Sequence, residues 1–151
     1  MRKLLSGALV AVCLVGSLAI TSPALAGGVS PRVASSSCST MGLTVSSLRR
    51  YYGTVTVHWA GYECGVIGTK LEVTLYLYPI GETAAVTKLV GLVHGTRLGG
   101  LGAGAVFRND GGGDYGLVLS GGKHCVYIDG QYVASQAILI QLAHIIYRAL
   151  A

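Results

Sequence analysis

From Leu71 to Tyr78 the chain alternates without a break, with Leu71, Val73, Leu75 and Leu77 on one parity and Glu72, Thr74, Tyr76 and Tyr78 on the other. Successive side chains of a strand point to opposite faces, so this pattern specifies a strand with one buried and one polar side. Pro79 and Gly81 end it. Val55, Val57 and Trp59, set between Thr54, Thr56 and His58, repeat the pattern in a shorter strand. Leu43 and Val45 alternating with Thr44 and Ser46 predict a first strand. Residues 85–93 predict a weaker one, broken by Leu89-Val90 and Gly91. A short apolar piece at 105–107 and a more continuously apolar strand at 115–119 flank the turn Asn109–Asp114 with its three successive glycines.

Asp129-Gly130 supplies the strongest local turn signal. It lies between Cys125-Val126-Tyr127-Ile128 and Gln131-Tyr132-Val133-Ala134, and Asp-Gly suits the positive φ of a two-residue type I′ hairpin. That hairpin would pair Tyr127 with Tyr132 and Val126 with Val133. Seven or eight strands with turns between them predict a mainly β fold, a small antiparallel β-sandwich of immunoglobulin-like architecture. A small β-barrel is the alternative. Residues 137–150 depart from the pattern, with no Gly or Pro and with Ile138, Leu142, Ile145 and Ala149 at helical spacing. They predict a C-terminal helix packed on the sheet through those four residues, although the isoleucines also suit a buried strand.

The amino-terminal end sets the address. Arg2 and Lys3 precede an apolar run from Leu4 to Ile20, and Ala24-Leu25-Ala26 forms a small-residue site before Gly27. This pattern predicts a signal peptide over 1–26, cleaved after Ala26, and a secreted or extracellular protein. Residues 27–40 then read as a flexible lead-in and 41–151 as a single β-rich domain. Without residues 1–26 the chain keeps nine Lys/Arg against six Asp/Glu. The basic residues are dispersed, with Arg49-Arg50 the one local pair, which excludes a nucleic-acid footprint. Of the cysteines beyond the leader, Cys64 and Cys125 lie in or beside strand patterns and Cys38 in a Ser-rich tail. In an oxidising compartment one bond is expected, and the placement favours Cys64–Cys125, with Cys38–Cys64 as the alternative.

No motif carries chemistry in its required setting. Gly100-Leu101-Gly102-Ala103-Gly104-Ala105 fits a dinucleotide pattern in letters, but a strand and turn follow where a helix is needed. Gly121-Gly122-Lys123 lacks the first glycine and the Ser/Thr of a phosphate loop. Asn109–Asp114 lacks the length and terminal glutamate of a calcium loop. His58, His94, His124 and His144 have no metal-ligand spacing, and no paired carboxylates, Cys–His dyad or serine elbow appears. No catalytic residue, metal or cofactor is therefore assigned.

Tyrosine is the residue that suggests binding, since its ring is amphipathic and rigid. Tyr76 and Tyr78 on the polar face of the clearest strand, with Tyr51-Tyr52 before its neighbour, form the candidate binding surface. The competing reading is that the terminal helix or a loop covers that face. The sequence thus predicts a non-enzymatic binding or envelope-associated protein, its partner an envelope glycan or an extracellular protein. Two alternatives stand beside it: a membrane-active protein using the apolar C-terminal segment, and an inhibitor presenting a Gly-rich loop.

Overall fold

The computed structural model describes residues 37–60, 63–102 and 104–151. The expected leader over 1–26, and the lead-in as far as residue 36, lie outside the described residues. In chain order the elements are α1 (Ser37–Thr40), α2 (Val45–Tyr52), β1 (Val55–Ala60), β2 (Glu63–Gly68) and β3 (Leu71–Pro79). A 3-10 turn (Ile80–Glu82) leads into α3 (Thr83–Leu89). Then come β4 (Thr96–Arg97), β5 (Val106–Gly111), β6 (Asp114–Gly121), β7 (His124–Val133) and α4 (Gln136–Leu150).

All seven strands form one open antiparallel sheet in the order β1-β2-β3-β7-β6-β5-β4. The fold is mainly antiparallel β, as the alternation predicts. It is one sheet, however, in place of the two facing sheets of a sandwich, and its ends do not meet as in a barrel. Helices supply the second layer. Leu71, Val73, Leu75 and Leu77 of β3, Leu117 and Leu119 of β6, and Val126 and Ile128 of β7 form a core with Leu48 and Tyr52 of α2 and with Leu139, Leu142, Ala143, Ile146 and Leu150 of α4. The Tyr52 hydroxyl donates to the Ile138 carbonyl at 3.2 Å and ties the two helices together. On the other face α3 and the loop after it cover one end only, through Val86 and Leu92 on Tyr78, Val118 and Cys125.

Five local expectations are corrected. The segment 43–46 enters a helix instead of a strand. The Thr44 hydroxyl accepts from the Ser47 amide at 3.1 Å and the Ser47 hydroxyl accepts from the Thr44 amide at 3.0 Å, a reciprocal cap that satisfies two otherwise orphaned donors. Residues 83–89 are likewise helical. Ala84 and Ala85 favour a helix, and one buried side chain per turn, Val86, suffices on this half-covered face.

Asp129-Gly130 is not a turn. β7 runs straight through it because both edges of that strand are occupied, by β3 and by β6. The extra residue is absorbed as a bulge at Gln131, since Val73 pairs with Gly130 and Glu72 with Tyr132. Tyr127 therefore faces Tyr76, and Val126 faces Leu77, rather than their expected partners Tyr132 and Val133. The chain reverses instead at Gly122, whose φ of 56° and closeness to the Leu150 carbonyl leave no room for a Cβ.

The disulfide joins Cys38 to Cys64, with Cα atoms 5.3 Å apart, and not Cys64 to Cys125. Sheet parity explains the correction. Cys64 pairs with Leu75 on the helix-bearing face, whereas Cys125 pairs with Tyr78 on the opposite one, so the sheet itself separates them. Cys38 thus sits in α1, at the end of the expected lead-in, and anchors it. The expected C-terminal helix forms, but turned: Ile138 and Ile145 are half-buried and Ala149 is exposed, while Leu139, Ala143 and Ile146 point inward.

Candidate functional site

Among the described residues, the face of the sheet away from α2 and α4 stays open beyond the end covered by α3. Strand pairing lines up His58, Gly65, Thr74, Asp129, Gly116 and Arg108 in one row across it. The next row carries Glu63, Tyr76, Tyr127, Val118 and Val106. Gly65 is buried because the His58 imidazole lies over it, where a Cβ would collide with the ring. Tyr76 and Tyr127 stack with centroids 5.8 Å apart and planes at 16°.

Beside this pair lies a cleft of about 380 Å³ lined by Arg108, Asp110, Asp114, Tyr115, Tyr127, Asp129 and Gln131, with Gly116 and Gly130 among its walls. Two bulges border it. Asn109 pairs with Tyr115 and Gly111 with Asp114, which leaves Asp110 outside the ladder, and Gln131 is the extra residue of β7. Bulges bend a strand and re-aim its side chains; here each puts a polar side chain on the rim of the cleft.

Arg108 is the organiser. Its Nε meets both Asp110 carboxylate oxygens, at 2.7 and 2.9 Å. One terminal nitrogen donates to the carbonyls of Val90 and Gly91, at 3.2 and 3.0 Å, and so secures the turn after α3. Asp129 accepts hydrogen bonds from Tyr127 and Gln131. Partial burial nevertheless raises the Asp129 carboxyl above its ordinary value, opposed by those two donors and reinforced by the charges of Asp114 and Asp110. Burial likewise pushes the Tyr127 phenol up, with the Asp129 charge adding to it.

No protein-family model, curated protein or solved structure matches the chain.

The four tyrosines singled out in the sequence do not assemble. Tyr76 belongs to the open face. Tyr78 shares its parity but is buried beneath α3 and Leu92. Tyr52 is buried in the core, and Tyr51 lies half-exposed between α2 and α4, on the other side of the molecule. The covering element foreseen for the Tyr76–Tyr78 face is real at one end, and it is α3 rather than the terminal helix. Arg108, Asp114, Tyr127, Asp129 and Gln131 were missed as site residues. Three of them lie on β7, where the Asp-Gly pair disguised a continuous strand; its Cys125-Tyr127-Asp129 parity is the signal that would have found two. The Cys125 thiol is fully buried, and burial pushes it up to about 11, partly offset by a hydrogen bond with Thr83 and reinforced by Glu82. It is not a nucleophile at neutral pH. Among the described residues no three His, Cys, Asp or Glu side chains converge as a metal site.

A carboxyl whose pKa is higher in the folded than in the unfolded chain holds extra protons when folded. It therefore favours folding below its unfolded pKa, about 3.9, and this advantage is lost as pH rises through the folded value. Asp129→Asn removes the cost of the half-buried charge while keeping an oxygen for Tyr127. The variant should melt above the wild type at pH 7, with the difference closing as pH falls below that of free aspartate. Melting curves across this range check it; a variant less stable at pH 7 would show that the hydrogen bonds outweigh the desolvation.

Proposed function

We propose that this chain is a small secreted, non-enzymatic binding protein of the cell envelope, and that its cleft binds a saccharide, neutral or amino-substituted. The observation that carries the reading is the makeup of the cleft. Three aspartates and a glutamine face one arginine already engaged by Asp110, next to the stacked Tyr76–Tyr127 pair. Carboxylates accept hydrogen bonds from neighbouring sugar hydroxyls, the Gln131 amide both donates and accepts, and a tyrosine ring offers an apolar platform beside a polar tip. The excess of carboxylates disfavours phosphates and nucleic acid. The leader pattern supports secretion, and the Cys38–Cys64 bond is compatible with an extracellular location.

Titration of the protein with a panel of neutral and amino-substituted oligosaccharides, followed by NMR shift changes, tests this. Binding is expected, with the largest shifts at Tyr127, Asp129 and Gln131. Tyr127→Ala and Asp129→Ala should each weaken it about tenfold or more, the size expected for losing a central aromatic or a charged hydrogen bond. No binding across the panel, or binding unaffected by both substitutions, overturns the reading.

A further inference from the structure

The opposite side of the molecule has a different chemistry. Between α2 and α4 runs a groove of about 640 Å³ whose lining includes Tyr51, Ile138, Ile145, His144 and Arg148. A second hollow of about 450 Å³ shares Tyr51, Ile145 and Arg148 and adds Arg50. Apolar side chains thus share these hollows with two arginines. Neither α2 nor α4 contains an acidic residue. All six Asp and Glu of the chain fall elsewhere: Glu63, Glu72 and Asp129 on the open face, Asp110 and Asp114 by the β5–β6 hairpin, and Glu82 before α3. Among the described residues the ion pairing is confined to Arg108 and Asp110. Arg50 instead lies over the Tyr51 ring, 4.9 Å from its centroid, and donates to its hydroxyl at 2.6 Å. Its charge, like that of Arg148, is not neutralised by a carboxylate.

We propose that the outer face of α2 and α4 docks the protein on an anionic lipid surface. A half-exposed apolar strip with two arginines and a tyrosine beside it matches the membrane interface, where apolar groups enter the acyl boundary and guanidinium groups meet phosphates. Charge complementarity selects this occupant. The acid-free helix layer attracts an anionic sheet of lipid, while two arginines beside an apolar strip are too few for a nucleic acid. Docking is peripheral. No described helix is long and apolar enough to cross a membrane, and the inward face of α4, with Leu139, Leu142 and Ile146, is committed to the core. The terminal helix therefore lies on the bilayer through its outer residues and stays in the fold. The open-face cleft then points away from the membrane, though the inference does not depend on what that cleft binds.

Co-sedimentation of the purified protein with phosphatidylcholine vesicles, with and without phosphatidylglycerol, provides the test. Binding to the anionic vesicles is expected to be about tenfold tighter or more, and to weaken with salt. Arg50→Glu combined with Arg148→Glu should abolish the preference with the circular dichroism unchanged, since both side chains are exposed. Ile145→Ser should weaken binding even at low salt. Tyr127→Ala should leave vesicle binding intact, which separates this inference from the saccharide reading. Equal affinity for both vesicle types, or a preference that survives the double charge reversal, overturns the proposal.

Discussion

Replacing Cys38 or Cys64 by serine should cost about 3–4 kcal/mol of folding stability. The two cysteines lie 26 positions apart, and releasing a loop of this size returns roughly that much chain entropy to the unfolded state. For a domain of this length the loss corresponds to a fall in melting temperature of about 10–15 °C. Reductant should bring the wild type to the same point. Cys125→Ala is the control: it removes a buried thiol from the other face of the sheet and leaves the cross-link intact, so its melting should still respond to reductant. Melting curves with and without reductant decide the matter together with non-reducing peptide maps. A Cys125-containing linked peptide, or a wild type indifferent to reductant, would contradict the pairing.

The second large effect lies in α4 and depends on one residue step. Ile146 is fully buried whereas Ile145 is half-exposed beside the groove. Ile146→Ala should cost about 2–4 kcal/mol through lost contacts and the cavity left behind. Ile145→Ala should cost about 1 kcal/mol or less, because only part of that side chain is removed from water. Adjacent helical residues differ by about 100° around the axis, so the ranking reports which way the helix is turned. Urea denaturation of the two variants measures it. Equal losses, or a larger loss at Ile145, would place the inward face on the Ile138–Ile145 side that the spacing alone suggested.

What was legible in the sequence was what neighbouring residues decide among themselves. β3 could be read because eight residues alternate cleanly, and the β5–β6 turn because glycines at 111–113 permit positive φ. The existence of α4 followed from its lack of Gly and Pro, but its orientation did not: Ile138, Leu142 and Ile145 satisfy helical spacing as well as Leu139, Leu142 and Ile146 do. Tertiary packing chose between them. Asp129-Gly130 failed for a similar reason. A local turn preference lost to hydrogen bonding along both edges of β7, which no short window contains. The cleft was still less visible, since Arg108, Asp114 and Asp129 come from three strands and meet only through pairing register.

The position of β7 gives the fold an order in time. The strand that joins the β1–β2–β3 meander to the β4–β5–β6 meander is the last to be synthesised, and its pairing with β3 closes a long loop, which makes it a slow step. Cys38 and Cys64 both precede that step. In a chain that emerges amino end first, both of these thiols are available before Cys125 can compete for either of them. When β7 then inserts, it carries Cys125 to the far side of the sheet, where the thiol is sealed from exchange. Chain order and the side of the sheet on which each strand places its cysteine thus both favour the Cys38–Cys64 bond over one to Cys125.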